Sequence, residues 1–194
     1  AWAVGEGGAI LHWDGAAWTQ TTSPTEHDLM SVAIVSRDDA WAVGEGGTVL
    51  RWDGAGWATA SSPTERRLWS VDLLASDDGW AVGQGGIILH WDGVRWAEVQ
   101  SPTVKHLTAV DLLSSGDGWA VGSDGTILHF DGSDWTQTRS PTQLHFESVD
   151  MLSTDDGWAV GWGFGGSGRG WGLPAGGGGP DRGAGAPAGS PSRS

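Results

Sequence analysis

The tetrapeptide Trp-Ala-Val-Gly begins at Trp2, Trp41, Trp80, Trp119 and Trp158, and every step is 39 residues with no insertion or deletion. Inside the unit an Asp-Gly pair returns at Asp14, Asp53, Asp92 and Asp131. A tryptophan follows each pair, at Trp18, Trp57, Trp96 and Trp135. Ser-Pro-Thr returns at Ser23, Ser62, Ser101 and Ser140, and an aspartate ahead of each next unit at Asp39, Asp78, Asp117 and Asp156. Chance does not produce such a register. The chain is an array, and each unit buries its apolar surface against its neighbours.

The second unit holds four strand-like pieces. They are Leu68–Ala75, the Trp-Ala-Val-Gly segment, Thr48–Trp52, and a last piece from Trp57 to Ser61. Turn residues separate them, and nothing keeps a helical period. Four short strands in one unit of this length match a blade of a propeller. The fold expected is all-β: a β-propeller of four-stranded antiparallel blades, with four repeats and a partial fifth. Full blades are expected over 29–60, 68–99 and 107–138, with 146–161 supplying two strands of the next. The Asp-Gly pair suits a two-residue hairpin link, with Gly at positive φ and Asp capping local N–H groups. The tryptophan after it folds back over the blade. Burying one removes about 150–250 Å² from water, or roughly 4–6 kcal/mol before entropy.

The 194 residues include 34 Gly and 15 Trp but no Cys and no Tyr, and the net charge is −14. An acidic surface repels phosphate backbones and anionic membranes, so neither nucleic acid nor membrane insertion is expected. The missing cysteines exclude disulfides and thiolate metal sites. The chain starts inside a motif without an initiator Met, so it reads as a fragment or processed piece. Residues 1–161 carry the blades. Residues 162–194 are rich in Gly, Pro, Ala and Ser and read as a disordered tail, either a native linker or a frame-shifted stretch. Closing a ring of four blades would need the strand at Phe146–Leu152 to complete the blade begun at Trp2. The second Trp-Ala-Val-Gly copy at Trp158 then has no slot, which favours a piece of a larger ring.

At "WAVGEGGTVLRWDGAGW" the chain resembles BNR/Asp-box propellers, and more closely the Ycf48-like (photosystem II assembly factor-like) repeats. Three residues separate Asp from Trp here, one fewer than in the usual box, so a tighter hairpin is expected. WD40 repeats come second: "GSDGTILHFDG" is similar to the third-strand region of a WD40 blade, but no Gly-His dipeptide occurs. The resemblance implies an assembly scaffold in an extracytoplasmic or secreted setting. Sialidases share the Asp-box propeller, but their chemistry needs a tyrosine nucleophile and an arginine cluster, and this chain has no tyrosine.

No cofactor, metal site or catalytic residue is expected. His12, His90 and His129 share a position with Arg51, which argues against a metal ring and for an exposed strand residue. Asp72, Asp111 and Asp150 share one position on the innermost strand, with Ala33 in the first unit. They read as a solvated channel lining; a cation or polar-ligand site, or a carboxylate pair that binds or hydrolyses carbohydrate, is the alternative. A purely structural array is a third reading. The leading one is a non-catalytic binding scaffold with a protein or glycan partner. Propeller topology gathers the loops between strands two and three, with Glu6, Glu45, Gln84 and Asp124, on one face. The loops between blades join them there, with His27, Asp28, Arg66, Arg67, Lys105, His106 and His145. These are among the positions where units differ most, and packing alone would ask the same residue of each.

Overall fold

In the computed structural model, which describes residues 1–162 and 171–172, the units become antiparallel sheets. The first holds β1 (Trp2–Val4), β2 (Ile10–Trp13) and β3 (Trp18–Gln20). The second holds β4 (Leu29–Ser36), β5 (Asp39–Gly44), β6 (Val49–Trp52) and β7 (Trp57–Thr59). The third repeats it as β8 (Leu68–Ala75), β9 (Asp78–Gly83), β10 (Ile88–Trp91) and β11 (Trp96–Val99). The fourth is β12 (Leu107–Ser114), β13 (Asp117–Gly122), β14 (Ile127–Phe130) and β15 (Trp135–Gln137). The fifth is β16 (His145–Ser153), β17 (Asp156–Trp162) and β18 (Trp171–Gly172). Strand order follows chain order in every sheet. Apart from Trp162 and residues 171–172, the stretch read as a tail lies outside the described residues.

The first strands β4, β8, β12 and β16 are successive neighbours. β16 pairs with β17 and not with β1, and no closely packed strand pair joins the fifth sheet to the first among the described residues. The series of sheets is therefore open, as a piece of a larger ring would be.

Tryptophans hold the sheets together. The Trp41 ring lies 4.6 Å from Trp91 and 5.5 Å from Trp96, nearly perpendicular to the latter. Trp80 meets Phe130 and Trp135 in the same way, and Trp2 meets Trp52 and Trp57. Trp57, Trp96 and Trp135 are buried as expected. Such ring pairs add about 0.5–1.5 kcal/mol each beyond their area. The Nε1 atoms of Trp41, Trp57, Trp96, Trp119 and Trp135 are buried without a hydrogen-bond partner, so these indoles act as apolar bulk.

The Asp-Gly link is longer than two residues. Trp13 pairs across it with Trp18, which leaves a four-residue turn from Asp14 to Ala17. The carboxylate explains the length. Asp14 Oδ1 accepts the N–H groups of Ala16 and Ala17 at 2.8 and 2.9 Å, and Asp53, Asp92 and Asp131 repeat the pattern. These donors hold all four carboxyls below their ordinary range. Gly at positive φ turns the chain, as expected.

Strands two and three are joined by one 3₁₀ turn, at Glu6–Gly8, Glu45–Gly47, Gln84–Gly86 and Ser123–Gly125. Ser-Pro-Thr folds over it. Ser62 Oγ bonds both the N–H and the C=O of Thr64, and Thr64 Oγ1 accepts the Arg66 N–H. The loop between blades is thus fixed where it passes over the 3₁₀ turn.

Candidate interaction face

The loops between sheets reach in two directions. The first variable residue reaches forward. His27 Nδ1 lies 2.9 Å from Thr48 Oγ1, Arg66 Nη1 lies 3.7 Å from Glu98, and Lys105 Nζ bonds Asp124. The second reaches back. Asp28 accepts the Gly7 N–H at 2.8 Å, Arg67 bonds Glu45, and His106 Nδ1 accepts the Gly85 N–H at 3.0 Å. His145, at the matching position and the first residue of β16, pairs with Glu147 at 3.0 Å. The residues singled out in the sequence therefore share one face, but largely as mutual ties between consecutive sheets. Glu6 and Gln84 stand in the 3₁₀ turns beside them, and Gln84 Oε1 accepts the Arg67 N–H.

Asp124 is one residue out of step with Glu6, Glu45 and Gln84. Ser123 is their counterpart, and Asp124 stands where the other turns have Gly7, Gly46 and Gly85. It has φ +55°, the positive-φ position that its counterparts fill with glycine. A non-glycine residue there is strained, though Asp bears it better than most. Lys105 holds the Asp124 carboxyl below its ordinary range.

One repeat position near the start of β4, β8, β12 and β16 adds a feature that the loops do not. Met30, Trp69, Thr108 and Glu147 occupy this place in four successive sheets. With His106 and His145 they line a cavity of about 440 Å³. Trp69 is half-buried, and His106 meets its ring edge-on at 5.1 Å. A second cavity, about 420 Å³, adjoins it and is lined by Trp69, His106, Arg67, Glu45, Glu65 and Gln84. Trp69 and His106 border both.

The inner carboxylates have structural work. Asp72 Oδ2 accepts the Leu112 N–H of the next sheet at 2.8 Å, and Asp111 Oδ2 the Met151 N–H at 2.6 Å. Burial raises both carboxyls above their ordinary range, and for Asp111 the nearby Asp72 and Asp150 charges add to it. Asp150 is exposed. Among the described residues no cluster of His, Asp and Glu is arranged to hold a metal ion.

No protein-family profile matches the chain, and no curated protein matches it in sequence. Solved structures do match. YCF48 from Cyanidioschyzon merolae superimposes with a TM-score of 0.65 at 15% identity, over 82% of this chain and 62% of that one. A YCF48 bound to D1 peptide gives 0.57 at 19% identity, over 85% and 59%. The WD40 repeats of RRP9 give 0.65 at 14% identity, over 82% and 55%. This chain folds as a β-propeller. It spans less than two thirds of each of those structures.

On the opposite face of the propeller the sequence reading needs correcting. His90 and His129 are half-buried and employed. His90 Nε2 lies 3.1 Å from Asp78, and His129 Nε2 lies 2.9 Å from Asp117. Each ring covers the strand-two tryptophan opposite it, Trp80 or Trp119. Arg51 does the same with both oxygens of Asp39 and lies 5.0 Å above Trp41. His and Arg interchange because both donate to one aspartate across one indole. The 39-residue alignment already put base, tryptophan and aspartate in fixed register, so this grouping was findable. Trp69 was missed too, although Met, Trp, Thr and Glu at one inner-strand position is as plain a break in the repeat as the loops show.

Proposed function

We propose that this propeller is a non-catalytic scaffold that takes a peptide segment of a protein partner on the face carrying the 3₁₀ turns. Trp69 anchors an apolar side chain at the axial mouth. One observation carries the reading. The residue before Trp69 and its counterparts are Leu29, Leu68, Leu107 and Phe146, all buried, while the mouth position itself runs Met30, Trp69, Thr108 and Glu147. Packing asks for one kind of residue at the first position. The second has been free to differ, and an asymmetric partner asks for four different answers. A half-buried indole beside a cavity is the usual anchor of a protein interface. The strained Asp124 lies on the same face, where strain often accompanies function. The solved YCF48 with a D1 peptide offers a precedent for peptide capture by this architecture. Carbohydrate hydrolysis is disfavoured, since Asp72 and Asp111 are committed to main-chain donors.

The test is selection from a random peptide display library on the wild-type chain. Enriched peptides should share an apolar or aromatic residue, lose capture by Trp69→Ala, and keep it with Asp92→Asn on the opposite face. No enrichment, or equal loss from both variants, overturns the reading.

A further inference from the structure

Two residues break the repeat in the seam between the third and fourth sheets, and both leave space. Between the second and third sheets, Arg51 holds both oxygens of Asp39. Its guanidinium carbon lies 5.0 Å over Trp41 and 5.8 Å over Trp91. One unit later the shorter His90 stands in that place. It stacks on Trp80 and reaches only Oδ1 of Asp78, at 3.1 Å. The Asp78 side chain is 23% exposed, against 11% for Asp39. The second break is Phe130, in the place of Trp91. The indoles of Trp52 and Trp91 donate to a turn carbonyl of their own sheet, that of Arg37 or Ser76, at 3.1 and 2.9 Å. Phe130 has no such donor, so the matching Ser115 carbonyl lacks that partner. A cavity of about 680 Å³ opens at this place, and Asp77, Asp78, His90, Asp92, Ser115 and Phe130 are among the residues that line it. The two sheets that form it are each complete, with four strands.

We propose that this cavity takes the guanidinium of an arginine side chain from a partner protein. The neighbouring seam supplies the template, since there the chain fills the same place with its own Arg51. A guanidinium carries five N–H donors in one plane. Asp78 and the Ser115 carbonyl offer acceptors, Phe130 offers an aromatic ring, and Asp77 and Asp92 add negative charge. Lysine would bring the charge without the plane. The net charge of −14 draws a basic partner to the surface. The cavity lies on the face of the Asp-Gly turns, opposite Trp69, so it stands apart from peptide capture at the axial mouth.

Amide NMR titration of the full 194-residue chain with the blocked peptide acetyl-Gly-Arg-Gly-amide tests it. Two analogues serve as controls: the lysine peptide keeps the charge, and the citrulline peptide keeps the shape without the charge. The arginine peptide is expected to shift the Asp77, Asp78 and His90 signals saturably, and to bind at least about tenfold more tightly than either analogue. His90→Arg rebuilds the filled seam. It should abolish the shifts and melt no lower than the wild type. Asp78→Asn should weaken binding at least about tenfold, and it decides alone if His90→Arg does not fold. Trp69→Ala should bind the arginine peptide as the wild type does. The absence of a saturable shift at these residues overturns the proposal. So does equal binding of the lysine or citrulline peptide, or binding that survives in the folded variants His90→Arg and Asp78→Asn. Loss of arginine binding in Trp69→Ala also overturns it, since the guest would then sit at the axial mouth.

Discussion

The carboxylate of Asp72 accepts the main-chain N–H of Leu112, on the neighbouring innermost strand, at 2.8 Å. Asp111 does the same for Met151. Ser31 and Ser70 take the N–H groups of Val71 and Val110. The innermost strands are thus laced by side chains that accept from the next strand. Hydrogen bonding needs an acceptor at the aspartate position, but it does not need a charge.

Asp111→Asn is therefore expected to raise the melting temperature at pH 7. The amide oxygen still accepts from Met151, and the charge among Asp72 and Asp150 is gone. Burial raises the Asp111 carboxyl above its ordinary range in the folded state, so folding favours the protonated form. The penalty on the ionised form is full above the folded pKa and absent below the unfolded one. The gain should therefore shrink as pH falls into the ordinary carboxylate range and vanish beneath it. Thermal melts of both proteins from pH 3 to 7 decide it. A loss at pH 7 would mean that the negative charge itself is wanted, as at a cation site.

Trp96 and Trp18 hold the same place in their units, one in a seam and one at a bare end. Trp96→Ala is expected to cost roughly 3–5 kcal/mol by cavity formation. Trp18→Ala is expected to cost under about 1 kcal/mol, as surface changes do. Trp96→Phe should be much milder than Trp96→Ala, because the buried Trp96 Nε1 gives up no hydrogen bond. Urea unfolding followed by circular dichroism measures all three. Equal losses at Trp96 and Trp18 would contradict the open end of the sheet series.

Asp124 separates strain from contact. Asp124→Gly relieves a positive φ and should stabilise by up to about 1 kcal/mol. It also gives up the Lys105 contact, which is exposed and so contributes little. The same variant is expected to weaken peptide capture on that face. Chemical unfolding and peptide binding measured together test the pair of effects. A stability loss would show that the Lys105 tie outweighs the backbone strain.

Blade boundaries were legible because they follow repeated apolar spacing: Leu68–Ala75 forms the innermost strand as read. Strand two runs longer than Trp-Ala-Val-Gly, since Asp78 and Gly79 pair with Ala75 and Leu73. The four-residue turn was not legible from Asp-Gly alone. The turn length depends on one carboxylate oxygen taking two N–H groups, which spacing does not encode. The shared loop face was legible from topology. Its internal ties were not, because Arg67 meets Glu45 only once the loop folds back over the sheet it has left. Trp69 looked like one more apolar residue of an inner strand, and only the convergence of four such strands makes a cavity beside it.

Adjacent glycines in one turn give the last contrast. Gly85 and Gly86 both have positive φ, +68° and +76°. A Cβ on Gly85 would meet nothing within 4 Å, and the fourth unit already carries Asp124 there. A Cβ on Gly86 would stand 2.2 Å from the Thr103 carbonyl oxygen, inside the Ser-Pro-Thr loop. Backbone cannot yield as a side-chain tip can, and the loop is pinned by Ser101 Oγ and Thr103 Oγ1. Gly85→Ala should cost about 1 kcal/mol, the conformational penalty alone. Gly86→Ala should cost at least about 2 kcal/mol more, from the clash and the displaced loop. Peptide capture should fall with Gly86→Ala even under conditions where the chain stays folded, because the displaced loop leads into His106 at the mouth. Equal stability for the two variants would mean that the Ser-Pro-Thr loop does not rest on the 3₁₀ turn.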